Sequence, residues 1–189
     1  MNNRDDFLSK IQTAQSEFYN NQAKKNIFKS AQKNECAHYV TNNVSLEQLI
    51  ECTAFILPNT NKVYFNYLVF KTYGSPENAK PIYNHIIALI ESILASYDSY
   101  EFHVNLKTFS VSACHRYYSM IVSSIESNTL FSEKLHKLVL YHTPFIIDQV
   151  TVMLYKTIKP FLHRIEYVKE KSDERIAQLF KDVVWIIFD

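Results

Sequence analysis

Residues 63–71 read Val63-Tyr64-Phe65-Asn66-Tyr67-Leu68-Val69-Phe70-Lys71. The run is mostly apolar and rich in aromatic and β-branched side chains, which suit a pleated, half-buried surface, so it predicts a strand. Gly74-Ser75-Pro76 breaks it. Beyond the break, Ile82, Ile86, Leu89, Ile90, Ile93, Leu94 and Tyr97 recur three or four residues apart and predict one apolar helix face. Pro81 belongs in the first turn of that helix, where its missing N–H leaves no bond unmade. Phe102, Val104 and Leu106 then alternate with polar residues, as a second strand would.

The same cadence continues. A helix from about Ser112 turns Tyr117, Tyr118, Ile121, Val122 and Ile125 inward, and Leu138 to Tyr141 predicts a third strand. Thr143 is placed to cap a helix that opens on Pro144 and carries Ile146, Val150, Met153, Leu154 and Ile158 on its apolar face. That helix ends near Lys159-Pro160, and Ile165 to Val168 predicts a fourth strand. Ser172-Asp173-Glu174 starts a last helix with acids at its positive end. The stretch Val183 to Phe188 is either a final strand or an apolar tail over the core. Strands that alternate with helices imply parallel pairing through right-handed crossovers. The expected fold is therefore α/β: an open, mainly parallel sheet of four or five strands with helices packed on it. Its parallel strands are expected near 63–71, 101–107, 137–142 and 165–169.

Upstream of this alternation the chain is polar and helix-prone. Phe7, Ile11, Ala14 and Phe18 form a narrow apolar stripe on a first helix. Ser45 with Gln48 three residues on fits a capping box, followed by Leu46, Leu49, Ile50 and Phe55, and Pro58 should stop that helix. The expected organisation is a helical segment over 1–57 that packs on an α/β domain over 58–189.

Composition bounds the function. The 189 residues carry 20 basic and 19 acidic side chains, a net charge of +1, which lacks the electrostatic footprint of a dedicated nucleic-acid binder. Gly74 is the one glycine, so neither a dinucleotide fingerprint nor a P-loop can be written. Three widely spaced cysteines (Cys36, Cys52 and Cys114) contain no CxxC pair and fit reduced thiols of a cytoplasmic protein. No signal-peptide stretch opens the sequence, and no apolar run reaches the ~20 residues of a membrane helix. Thirteen Phe and thirteen Tyr can fill a core or line a greasy cavity.

An ordered set of motifs resembles the CRAL-TRIO family across about residues 60–170. Phe131-Ser132-Glu133-Lys134-Leu135, the strand Leu138-Val139-Leu140-Tyr141 and His142-Thr143-Pro144-Phe145 are similar to that family's "PE-x-L", hydrophobic strand and "N-x-P-hydrophobic" series. Lys159-Pro160-Phe161-Leu162 and Arg164-Ile165 follow in the family's order, with Arg164 in place of the usual Lys. His103 to Ser110 resembles its "h-h-D-h-x-G-hydrophobic-S" strand, with Asn105 for Asp and Thr108 for Gly. The resemblance implies a non-enzymatic domain that binds or transfers a hydrophobic ligand, a phospholipid or phosphoinositide, in an apolar pocket closed by a mobile helix. It implies transient contact with a membrane surface and no cofactor. The likeness is strongest to the divergent branch with GAP-associated and BCH-type domains. The alternative expectation is therefore a protein-interaction module with a closed pocket, of the kind that binds a small GTPase.

The expected ligand-binding residues are Glu133, Tyr141, Phe145, Val150, Met153, Leu154 and Arg164. Glu133 and Arg164 match positions that meet the headgroup in phosphoinositide-binding members: an acid accepts inositol hydroxyls and a guanidinium forks onto phosphate. Phe145, Val150, Met153 and Leu154 lie on the helix that resembles the family's gate. Lys134, Lys137, Lys156 and Lys159 form a basic group near it that suits anionic lipid. The histidines and cysteines offer no three- or four-ligand set for zinc, and adjacent Cys114 and His115 diverge on a helix, so neither a metal site nor a catalytic residue is expected.

Overall fold

The computed structural model describes residues 3–21 and 29–184. Five strands form one sheet in sequential order: β1 (Ala54–Ile56), β2 (Lys62–Asn66), β3 (Tyr100–Asn105), β4 (Leu135–Tyr141) and β5 (Ile165–Val168). β1 pairs antiparallel with β2, and β2 through β5 run parallel. The expected α/β class and mainly parallel sheet are thus present, with β1 as an added edge strand.

The helices are α1 (Asn3–Asn21), α2 (Lys29–Asn43), α3 (Leu46–Thr53), α4 (Tyr67–Tyr73), α5 (Ala79–Leu94), α6 (Val111–Glu126), α7 (Thr129–Glu133), α8 (Ile147–Ile158) and α9 (Ser172–Val184). A sheet whose parallel strands follow sequence order, joined by crossovers of one hand, carries its connecting helices on one face. α5, α6 and α8 accordingly share a core with the front face of the sheet: Ile90, Cys114 and Val150, with Phe161 from the turn after α8, pack with Val63, Phe102 and Leu135. A second core joins α1 to α4 with the start of α6. The α1 stripe of Phe7, Ile11, Ala14 and Phe18 is buried there, beside Val40, Leu49, Tyr73 and Tyr117.

Three boundaries depart from the sequence expectation. The strand expected over 63–71 ends at Asn66, and residues from Tyr67 onward are helical. Asn66 caps α4, its side-chain oxygen accepting the Leu68 N–H at 3.1 Å, and Tyr67, Phe70 and Tyr73 bury one helical face. A continuously apolar run fits either period, so periodicity does not separate the two. The helix after Ser45 stops at Thr53, although Ser45 caps it through the Gln48 N–H. Phe55, expected on that helix, lies in β1 opposite Tyr64. The helix expected from Pro144 begins only at Ile147. The Thr143 hydroxyl donates back to the Leu140 carbonyl at 2.7 Å instead of capping forward N–H groups. Val183 and Val184 end α9 as helix, and residues 185–188 of the apolar C-terminal stretch lie outside the described residues.

At Gly74 any side chain would have to displace a ring. A Cβ there would sit 2.8 Å from the Phe70 ring, which folds back over it.

Candidate functional site

Where the two cores meet, the packing leaves a cavity of about 260 Å³ between the front face of the sheet and α5, α6 and α8. Its floor comes from strand alternation. Side chains two apart share a face, so Phe65, Phe102, Val104, Leu138 and Leu140 point into it together. A chain of rings runs along it. Phe70, Phe65, Phe102, Phe131 and Phe161 follow one another with centroids 5.4, 6.3, 5.7 and 6.0 Å apart. Rings at such spacings favour tilted and edge-on contacts over filling space uniformly. The polar side chains among the lining residues are hydroxyl-bearing: Ser124, Thr151 and the tyrosines.

Buried tyrosines frame this volume. Burial raises the phenols of Tyr67 and Tyr100 well above the ordinary tyrosine value. Tyr100 donates to the Phe131 carbonyl at 2.6 Å, which fixes α7 against β3. These groups stay neutral, and the Tyr67 ring is an apolar wall of the cavity.

Of the expected ligand-binding residues, Val150 and Leu154 are buried on α8 and line the cavity. The other five stand elsewhere. Phe145 is 99 % exposed, because it precedes the helix in a turn that faces solvent. Met153 packs at the margin of the front core without lining the cavity. Tyr141 is buried on the opposite face, since Leu138 and Leu140 take the front positions of β4. Glu133 is exposed at the end of α7. Arg164 braces the corner between α7 and β4. Its Nη1 donates to the carbonyls of Ser132 at 2.8 Å and Leu135 at 2.6 Å. The expected headgroup pair therefore does not converge on the cavity, and the guanidinium serves the backbone instead. Of the basic group, Lys137 pairs with Glu166, while Lys134, Lys156 and Lys159 are exposed.

The back face holds a different constellation, absent from the sequence expectation. Glu101 Oε2 lies 2.9 Å from His103 Nε2, and His103 Nδ1 lies 2.9 Å from the Tyr141 hydroxyl. A carboxylate only accepts, so Nε2 carries the proton and, in the neutral ring, Nδ1 accepts from Tyr141. The hydrogen bond from His103, helped by Lys62 at 3.8 Å, holds the Glu101 carboxyl below its ordinary value. Burial pushes the Tyr141 phenol up to about 12. Glu166 is likewise lowered by Lys137 and Arg175. The one sequence signal was the Glu101-Phe102-His103 alternation, polar on one side of a strand. α9 covers part of this face through Ile176, Leu179 and Phe180, whose ring meets Tyr64 at 4.9 Å. Among the described residues no three His, Cys, Asp or Glu side chains gather as a metal site, and no helix is long and apolar enough to cross a membrane.

Comparison of the chain with protein-family models, with curated proteins and with solved structures finds no match.

Proposed function

We propose that this protein binds a lipid-like hydrophobic molecule in the front cavity and presents it without chemistry. The observation that carries the reading is the cavity itself, about 260 Å³ of space walled by aromatic and aliphatic side chains. Well-packed interiors hold few voids larger than a water molecule, and a dry apolar void accepts an apolar guest. The CRAL-TRIO resemblance of residues 60–170 points the same way. One residue supports that alignment physically. Thr108 stands where the family often has glycine and adopts φ 71°, the left-handed region that favours glycine.

α8 is the movable wall in this reading. Its inner side supplies Val150 and Leu154, while Val152 and Tyr155 on its outer side are 76 % and 48 % exposed. With the exposed Phe145 ahead of them and Lys156 and Lys159 alongside, this outer side suits brief contact with an anionic lipid surface. The same exposed row favours the second reading, a module that docks a protein partner such as a small GTPase.

Native mass spectrometry of the purified protein separates the two. A hydrophobic adduct near one per chain is expected. Val150→Trp should fill the cavity and abolish that adduct while lowering stability by less than the ~1–3 kcal/mol of overpacking a closed core. A clean unliganded mass together with a sharp loss of melting temperature in Val150→Trp would leave the interaction module standing.

A further inference from the structure

The front cavity is not sealed. A second hollow, of about 430 Å³, lies between the start of α5 and the outer half of α6. Ala79, Tyr83, Met120 and Ser124 line both spaces, so the two adjoin across a neck of these four side chains. Their chemistry differs. The hollow is bordered by Ser119, Ser123, Ser127, Asn84 and Lys80, all exposed, whereas the cavity behind the neck is apolar. Helix geometry explains the sorting. Ser119, Ser123 and Ser127 are four residues apart and form one row on α6, facing Lys80 and Asn84 on α5. The Ser127 hydroxyl donates to the Ser123 carbonyl, so its proton is already engaged and the free hydroxyl donors of the row are those of Ser119 and Ser123. Lys80 is the one cation on this lining, and no carboxylate among the described residues stands there.

A hollow with hydroxyl, amide and ammonium groups on its rim, adjoining an apolar cavity, is the negative image of an amphiphile. We infer that the ligand is a single-chain amphiphile with an anionic head, a carboxylate or a phosphate: the head rests among Lys80, Asn84 and the α6 serines, and the chain passes between Ala79 and Met120 into the cavity. This rests on the reading of the front cavity as a lipid site. Hydroxyl and amide donors with one ammonium match an anion's lone pairs, and Lys acts there as a point charge. The apolar volume sets the chain count. At about 260 Å³ it lies just below the roughly 300–1,000 Å³ of pockets that enclose drug-sized ligands, room for one chain and not two. The α5–α6 cleft, one helix away from the exposed row of α8, is the mouth of the site.

Calorimetric titration of the purified, delipidated protein with dodecanoate, a lysophosphatidate and dodecanol tests this. Both anions should bind one per chain. Lys80→Glu reverses an exposed charge and should weaken both about tenfold at low ionic strength, the scale of one charge-assisted hydrogen bond, with the effect shrinking as salt is added. Dodecanol affinity should not change. The anion that loses more affinity identifies the head chemistry, and Ser124→Phe at the neck should block all three. If Lys80→Glu leaves both anions unaffected while Val150→Trp abolishes their binding, the cavity remains a lipid site and the cleft assignment is overturned. If wild type binds none of the three probes, the lipid reading and this inference fall together. Stoichiometric binding of a diacyl phospholipid, with the single-chain probes excluded, would overturn the chain count alone.

Discussion

The two faces of the sheet are built from the same strands and have opposite chemistry. The front face presents Phe65, Phe102, Val104, Leu138 and Leu140 to three helices and borders an apolar cavity. The back face presents Glu101, His103 and Tyr141 in a hydrogen-bonded line, with Lys137, Glu166 and Arg175 beside it. The front is held by area removed from water, which is non-directional and tolerates a cavity at a cost. The back is held by matched donors and acceptors, which tolerate no missing partner. Sequential strand order is the cause. With every crossover on one side, α9 is left to cover the other, and the residues it leaves half-covered are polar and paired.

The contrast can be broken at either face. On the front, Phe161 is fully buried and closes the ring chain. Phe161→Ala should lower unfolding free energy by about 3–5 kcal/mol in urea titration, because it enlarges an existing void. A loss near 1 kcal/mol would mean that the front core collapses around the gap. On the back, His103→Leu leaves Glu101 without its shortest partner and the Tyr141 hydroxyl buried without one, for a loss of about 1–3 kcal/mol. Adding Tyr141→Phe should recover part of that loss. Strict additivity in this double-mutant cycle would show that the line is not a unit.

A smaller effect sharpens the electrostatic side. Because the folded-state value of Glu101 is depressed, its contribution is present above the ordinary carboxylate range and disappears as pH falls through the folded value. Glu101→Gln should therefore be about 1 kcal/mol less stable than wild type near pH 7, and the gap should close toward pH 3. A gap that is constant with pH would point to packing rather than charge. Smallest is Thr108→Gly, which relieves a β-branched residue at φ 71°. It should raise the unfolding free energy by up to about 1 kcal/mol, with cavity binding unchanged. The hydrogen bond from Lys71 to the Thr108 hydroxyl sets the upper limit on that gain.

Much of the fold was legible in residue periods. The alternation of Phe102 and Val104, the Ile82–Ile93 face of α5 and the α1 stripe each point to the element that formed, since burial on one side writes a period into the chain. Runs apolar on every side were not legible. Tyr67 to Phe70 satisfied a strand and a helix equally, and the Asn66 cap decided between them. The cavity was half legible. Val150 and Leu154 share the inner side of α8, whereas Phe145 was assigned to that side on the assumption that Thr143 starts the helix. Arg164 looked like a ligand group because a charged residue in a motif gives no sign of which acceptor will be nearest; two carbonyls were.

Local sequence by itself determined the α/β alternation, most element types and the apolar character of the sheet's front, because each follows from side-chain spacing along a strand or helix turn where one side alone is apolar. Tertiary structure alone decided that the crossover helices gather on one face, that a hollow lies between α5 and α6, and that Glu101, His103 and Tyr141 meet. Those outcomes depend on residues up to 40 positions apart in sequence, as between Glu101 and Tyr141. Only the crossover hand and strand register bring such groups within hydrogen-bond distance, and neither is written in any local period.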